Sequence, residues 1–132
     1  MKLVIDRKTW LRGEGVDNSY LLRGKDGRRC CLGFLASQCG ILDEYLMRVE
    51  APNQICDHEA YKKLPNFLFN EQQNENSSVC CKLMIANDLV LGEVAENGKH
   101  GEGVPKFNTE SEREEWITKK FAEHGIEVVF EN

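Results

Sequence analysis

The chain has 132 residues, 41% of them hydrophobic, with 17 Lys and Arg against 22 Asp and Glu and a formal charge of −5. That length and apolar content suit one folded domain over 1–132 and exclude wholesale disorder. The acidic balance argues against broad, sequence-independent nucleic-acid binding, which needs basic surface, and leaves room for a local basic patch or an acidic contact with a basic partner.

The opening "MKLVIDRKTW" holds one short apolar run, broken by Asp6 and Arg7, so it does not read as a secretory signal. No apolar run approaches the ~20 residues of a membrane span. A soluble, intracellular protein is expected, in which the six cysteines are thiols. "DRKTWLRG" (6–13) predicts a short helix with Asp6 as N-cap and Gly13 as stop. "SYLLR" (19–23), the turn "GKDG" (24–27) and "RRCC" (28–31) predict a β-hairpin. The period then changes. Cys31, Leu35 and Cys39 recur at i, i+4, i+8, which predicts a buried helix ending at Gly40.

The chain from 41 to 70 is less regular, with a helical turn or two in "DEYLMRV" and a short helix in "DHEAYKKL", capped by Asp57 and ended by Pro65. "NEQQNENSS" (70–78) reads as a surface loop. "SSVCCKLMIAND" predicts a second buried helix, capped by Ser78, with Val79, Leu83 and Ala86 on one face. The glycine-rich stretch 92–108 is a second surface loop. "NTESEREEWITKKFAEHG" carries the clearest helix signals: Thr109 or Ser111 as cap, Glu112 or Glu114 closing a capping box, a Glu115–Lys119 pair and a stop at Gly125. "IEVVF" (126–130) closes the chain as a strand. The expected architecture is α+β: a small, mainly antiparallel sheet with three or four packed helices. Trp10 and Trp116 read as core anchors.

Four kinds of site can be weighed. Zinc wants four ligands, often in C-x2-4-C knuckles, and none is present. Cys31 and Cys39 on a helix would lie ~12 Å apart along its axis. Cys56 and His58 are a weak metal alternative that needs further ligands. A nucleophilic thiol is the second: Cys31, or Cys30, at a helix start beside Arg28 and Arg29, would gain thiolate character, but none of the histidines, His58, His100 and His124, is visibly paired with it. The third is an anion site, with Gly33 near the helix start and Arg23, Arg28 and Arg29 on the hairpin. Its bland counterpart is that Gly33 allows close packing and that the arginines are solvated. Fourth, Asn87 and Asp88 either end a helix and cap the next turn or orient a ligand at a pocket edge.

Taken together, a Trp in a short N-terminal helix, a strand-turn-strand entering "CCLGFL", a later helix ending "LMIAND" and a terminal "FAEHGIEVVF" resemble a group of small bacteriophage and prophage proteins. The likeness rests chiefly on Cys30–Gly33 and Leu83–Asp88. It implies a phage accessory protein in the cytoplasm of an infected bacterial host, acting by binding. Such a protein would block a host immune factor or sequester a nucleotide-derived signal. A host protein or a small nucleotide-like ligand is the implied partner, with no cofactor and with self-association left open. The alternative is a cysteine-dependent hydrolase or transferase using Cys31 or Cys30.

Overall fold

The structure, a computed structural model, describes residues 1–69, 79–95 and 103–132. The expected loop 70–78, with the Ser78 cap, and residues 96–102 of the second loop, with His100, lie outside the described residues. In chain order the elements are β1 (Lys2–Asp6), α1 (Cys31–Gln38), α2 (Asp43–Leu46), α3 (His58–Tyr61), α4 (Val79–Asp88), α5 (Glu110–Ala122) and β2 (Glu127–Glu131), with short 3-10 turns at Val16–Asn18, Pro52–Gln54 and Asn66–Phe69. No described helix is long and apolar enough to cross a membrane.

The class is α+β, but the expected mainly antiparallel sheet is not formed. Among the described residues the sheet has two strands, and they are parallel, with Lys2 opposite Glu127 and Asp6 opposite Glu131. Among the described residues there are five α-helices in place of the expected three or four. The apolar run at the N-terminus is therefore a strand paired with the far end of the chain. Leu3 and Ile5 are fully buried on one face of it. Its free edge is closed by a side chain: the Gln38 amide accepts from Val4 N at 3.0 Å and donates to Val4 O at 2.6 Å. Helix α1 packs on β1, α5 packs on β2, and α4 lies against both helices.

Two local expectations fail for identifiable reasons. Residues 6–13 are not helical. Asp6 uses its carboxylate to close a turn onto Lys8 N (2.9 Å), the competing conformation open to Asp. Trp10 and Leu11 then run extended and are both buried, with Leu11 N donating to Arg29 O and Arg29 N donating to Thr9 O. The hairpin turn does form, with Gly27 at φ 71 and Arg23 N donating to Arg28 O at 2.8 Å. Its arms do not become a ladder. Cys30 N does donate across to Tyr20 O at 3.1 Å, but Leu22 bridges to Met47 and Arg29 to Trp10, both in parallel sense, so the rest of each arm's pairing goes to a different neighbour. The second arm also ends at once, because Cys30 O already accepts from Gly33 N and Phe34 N in the first turn of α1.

Helix signals fare better. Thr109 Oγ1 accepts from Glu112 N at 3.2 Å, and Glu112 reaches back one residue beyond the cap to accept from Asn108 N at 3.0 Å. Gly125 follows α5 at φ 79, Gly40 follows α1 at φ 93, and Asp57 caps α3 through Ala60 N at 2.9 Å. Ile117 and Phe121 are fully buried.

Gly33 fixes how α1 meets the rest of the chain. A Cβ there would fall 1.9 Å from the Leu21 carbonyl oxygen, so the first turn of α1 lies backbone to backbone on the 20–22 segment. Neither side is a flexible side chain that could give way. Gly33→Ala is expected to cost about 3 kcal/mol or to block folding, read as a fall in the urea midpoint at unchanged slope; an unaltered midpoint would contradict the close approach.

Candidate functional site

The C-terminal end of α4 is the polar centre of the molecule. Asn87 is 1% exposed and spends its whole amide inside the protein. Its Oδ1 accepts from the Trp10 indole (2.8 Å) and from Cys31 N (2.9 Å), and its Nδ2 donates to Leu11 O (3.0 Å) and to Asp88 Oδ1 (2.9 Å). The carbonyls of this helix end are met by Arg113, fully buried in α5. It donates to Ala86 O, Asn87 O and Leu89 O and pairs with Glu110 at 2.8 Å. Gly13 N and Gly15 N complete the set on Asn87 O and Asp88 O.

Asp88 is 4% exposed, and burial pushes its carboxyl up to about 6 against the opposing pull of hydrogen bonds from Ser19 and Asn87 and of the Arg113 charge. Asp88 lines two adjoining cavities. The tighter, about 200 Å³, has Val16, Met84 and Ile85 as apolar walls, with Ser19, Cys81 and Glu50 beside Asp88. The wider, about 610 Å³, runs between the 14–18 turn and residues 89–95 and exposes Val16, Val90 and Val94 among Asp17, Glu14 and Glu93. A third cavity of about 720 Å³ shares Glu50 with the first and Asn18 with the second. Tyr20 and Met47 line it together with Arg23, Lys25 and Arg48.

The hairpin arginines divide. Arg23 lines the third cavity, but its guanidinium is bound in a fork to Asp26 (2.6 and 3.1 Å) and also to Glu14 (3.0 Å). These contacts hold Asp26 down at about 2 and lower Glu14 as well. Arg28 pairs with Glu14 and donates to Trp10 O; Arg29 pairs with Asp43. Neither lines any of the three cavities. Lys25 and Arg48, by contrast, form no ion pair among the described residues. Arg48 is also the one described non-glycine residue with positive φ, at 66°. Thus Arg23 and Asp88 sit at cavities, Asn87 is consumed by the interior, and Lys25 and Arg48 are the cations that reading along the chain passes over.

The vicinal thiols Cys30 and Cys31 are buried, and desolvation pushes Cys30 up to about 12 and Cys31 well above the ordinary thiol range. The Cys31 sulfur lies 4.0 Å from Leu83 O, which accepts from it. Cys56 is exposed and donates to Gln54 O. No group of three or more His, Cys, Asp and Glu among the described residues could hold a metal ion, so Cys56 and His58 lack companions there. No known protein family, curated protein or solved structure matches the chain.

Two outcomes follow from the buried groups. Asp88 binds its proton more tightly folded than unfolded, so the stability it contributes is full below about pH 4 and lost as pH rises through about 6. The loss is on the order of 3 kcal/mol. Asp26 and Glu14 act with opposite sign at lower pH, so the comparison needed is wild type against Asp88→Asn: urea unfolding at pH 4 and 7 should show the difference between them shrinking or reversing toward pH 7. A constant difference would deny the buried carboxyl. Iodoacetamide near neutral pH should label Cys56 and spare Cys30 and Cys31 in the folded chain, read by peptide mass spectrometry; rapid labelling of either vicinal thiol would restore the nucleophile reading.

Proposed function

We propose that the protein acts by binding, and that its ligand face is the cavity lined by Tyr20, Met47, Lys25 and Arg48. The observation that carries this reading is the pairing of two uncommitted cations with an aromatic ring and an exposed thioether around a cavity of about 720 Å³. Phosphate groups are drawn to Lys25 and Arg48, while Tyr20 and Met47 offer flat or deformable apolar surface to a base. Glu50, at the border with the apolar cavity, repels phosphate and directs it to the cationic side. Arg23, neutralised by Asp26 and Glu14, braces the wall. The ligand class is a nucleotide-like phosphate ester. In the phage setting implied by the "CCLGFL" resemblance, binding would sequester a nucleotide-derived signal in the host cytoplasm.

A second reading, docking of a host protein, is favoured by the exposed Val16, Val90 and Val94 that meet in the acidic cavity. Thiol catalysis has less support, since both candidate nucleophiles are buried and protonated.

Calorimetry with cyclic di-adenylate, cyclic di-guanylate and ADP-ribose tests the ligand. At least one should bind, about tenfold more weakly after Lys25→Ala or Arg48→Ala, with Arg29→Ala unchanged. Arg48→Gly separates fold from function: it relieves the positive φ and should raise stability by about 1 kcal/mol while weakening binding. No heat from any of the three compounds would leave the protein-docking reading in its place.

A further inference from the structure

Asp88 is a carboxylate 4% exposed with no Lys, Arg or His nitrogen within 4.0 Å among the described residues. Buried charges are ordinarily paired. Its hydrogen bonds come from two neutral groups, the Ser19 hydroxyl and the Asn87 amide. The position compounds the problem, because the C-terminal end of a helix disfavours negative charge. Arg113 is the cation that acts on it, and that guanidinium is already committed to Glu110 and to three carbonyls. Among the described residues, the other titratable groups around Asp88 supply no positive charge. They are the thiols of Cys30 and Cys31, Glu50 and Cys81 in the same cavity, and Glu14, Asp17 and Glu93 in the adjoining one.

What the carboxylate faces is a small space with apolar walls, Val16, Met84 and Ile85, open to the wider acidic cavity. We propose that this cavity is a second binding site, distinct from the basic one, and that it takes an alkylammonium group whose nitrogen pairs with Asp88 and whose chain lies against Met84 and Ile85. The group comes either from a free aliphatic amine or from a lysine side chain of a partner protein. Acidic residues at the mouth favour approach of either. The proposal does not depend on the nucleotide-like ligand.

Methyl NMR of the intact chain, followed at Met84 and Ile85, tests it with n-butylammonium chloride and 1-butanol as probes. At pH 7.5 the ammonium should give saturable shifts, with the alcohol at least about tenfold weaker because it lacks the charge. The ammonium should weaken sharply by pH 5, where Asp88 is protonated. Asp88→Asn should abolish the preference for the ammonium, and Lys25→Ala should keep it. Equal binding of alcohol and ammonium to the wild-type chain, or ammonium binding indifferent to pH, would overturn the assignment without relying on any variant. Nα-acetyl-lysine methylamide and butane-1,4-diammonium separate the sources. Binding of the blocked lysine assigns the site to a partner's side chain, and binding of the diammonium alone assigns it to free amines. Saturation by neither overturns it.

Discussion

The Asn87 amide is the interaction on which the arrangement of the chain depends. It ties the N-terminal extended segment, through the Trp10 indole and Leu11 O, to the first turn of α1, through Cys31 N, and does so from the last turn of α4. A single buried hydrogen bond contributes about 1 kcal/mol net, but each group left unpaired after its loss costs about 1–3 kcal/mol. Three backbone or indole groups from separate parts of the chain rely on this one side chain. An aspartate here could not donate to Leu11 O and would face Asp88. An aliphatic residue could satisfy none of the three. Arg113 does the complementary work, saturating the carbonyls at the same helix end so that it can be buried.

From that anchor the clefts follow. Gly13 and Gly15 bond to the carbonyls of Asn87 and Asp88, which holds the 14–18 turn against the end of α4. The apolar and acidic cavities open between them. On the other side of the turn, Arg23 gathers Asp26 and Glu14 and fixes the 23–28 turn, so its charge is spent on architecture. The neighbouring Lys25 and Arg48 keep theirs. Two surfaces of opposite character thus lie either side of one short segment, with Glu50 on the boundary.

Signals confined to one helix were readable along the chain. Thr109, Glu112 and Gly125 bound α5, Gly40 stops α1, and Asp57 caps α3, because each acts on backbone groups within a few residues. The β pairing was not. Strand β1 meets a partner at the opposite end of the chain, a contact with no local periodicity to announce it, and Asp6 and Arg7 made its five residues look like a broken run. The antiparallel expectation came from sound turn chemistry at 24–27. It failed because the arms found other neighbours, at Met47 and Trp10. The Glu115–Lys119 pair within α5 was readable and forms at 3.2 Å, but charge pairing between segments was not: Glu14 and Asp43 are remote in sequence from the arginines they neutralise. Arg113 did leave a signal. It stands four residues before Ile117 and eight before Phe121, on the stripe that proves buried, and a charged residue in that register has to find partners inside.

The vicinal cysteines show how magnitudes decide between readings of one motif. Cys31 does begin a helix, where the dipole favours a thiolate by about 0.3–1 kcal/mol. Burial acts the other way and prevails. Raising Cys30 to about 12 corresponds to a penalty on its thiolate on the order of 4 kcal/mol, several times what the helix end can return. Arg28 and Arg29, which could have tipped the balance, are paired with Glu14 and Asp43 instead. The sulfurs therefore behave as small apolar atoms beside Leu83. A glycine follows at position 33 because the same turn must lie against the Leu21 carbonyl. The motif is a packing device, and the charged groups of Asp88, Lys25 and Arg48 line the cavities instead.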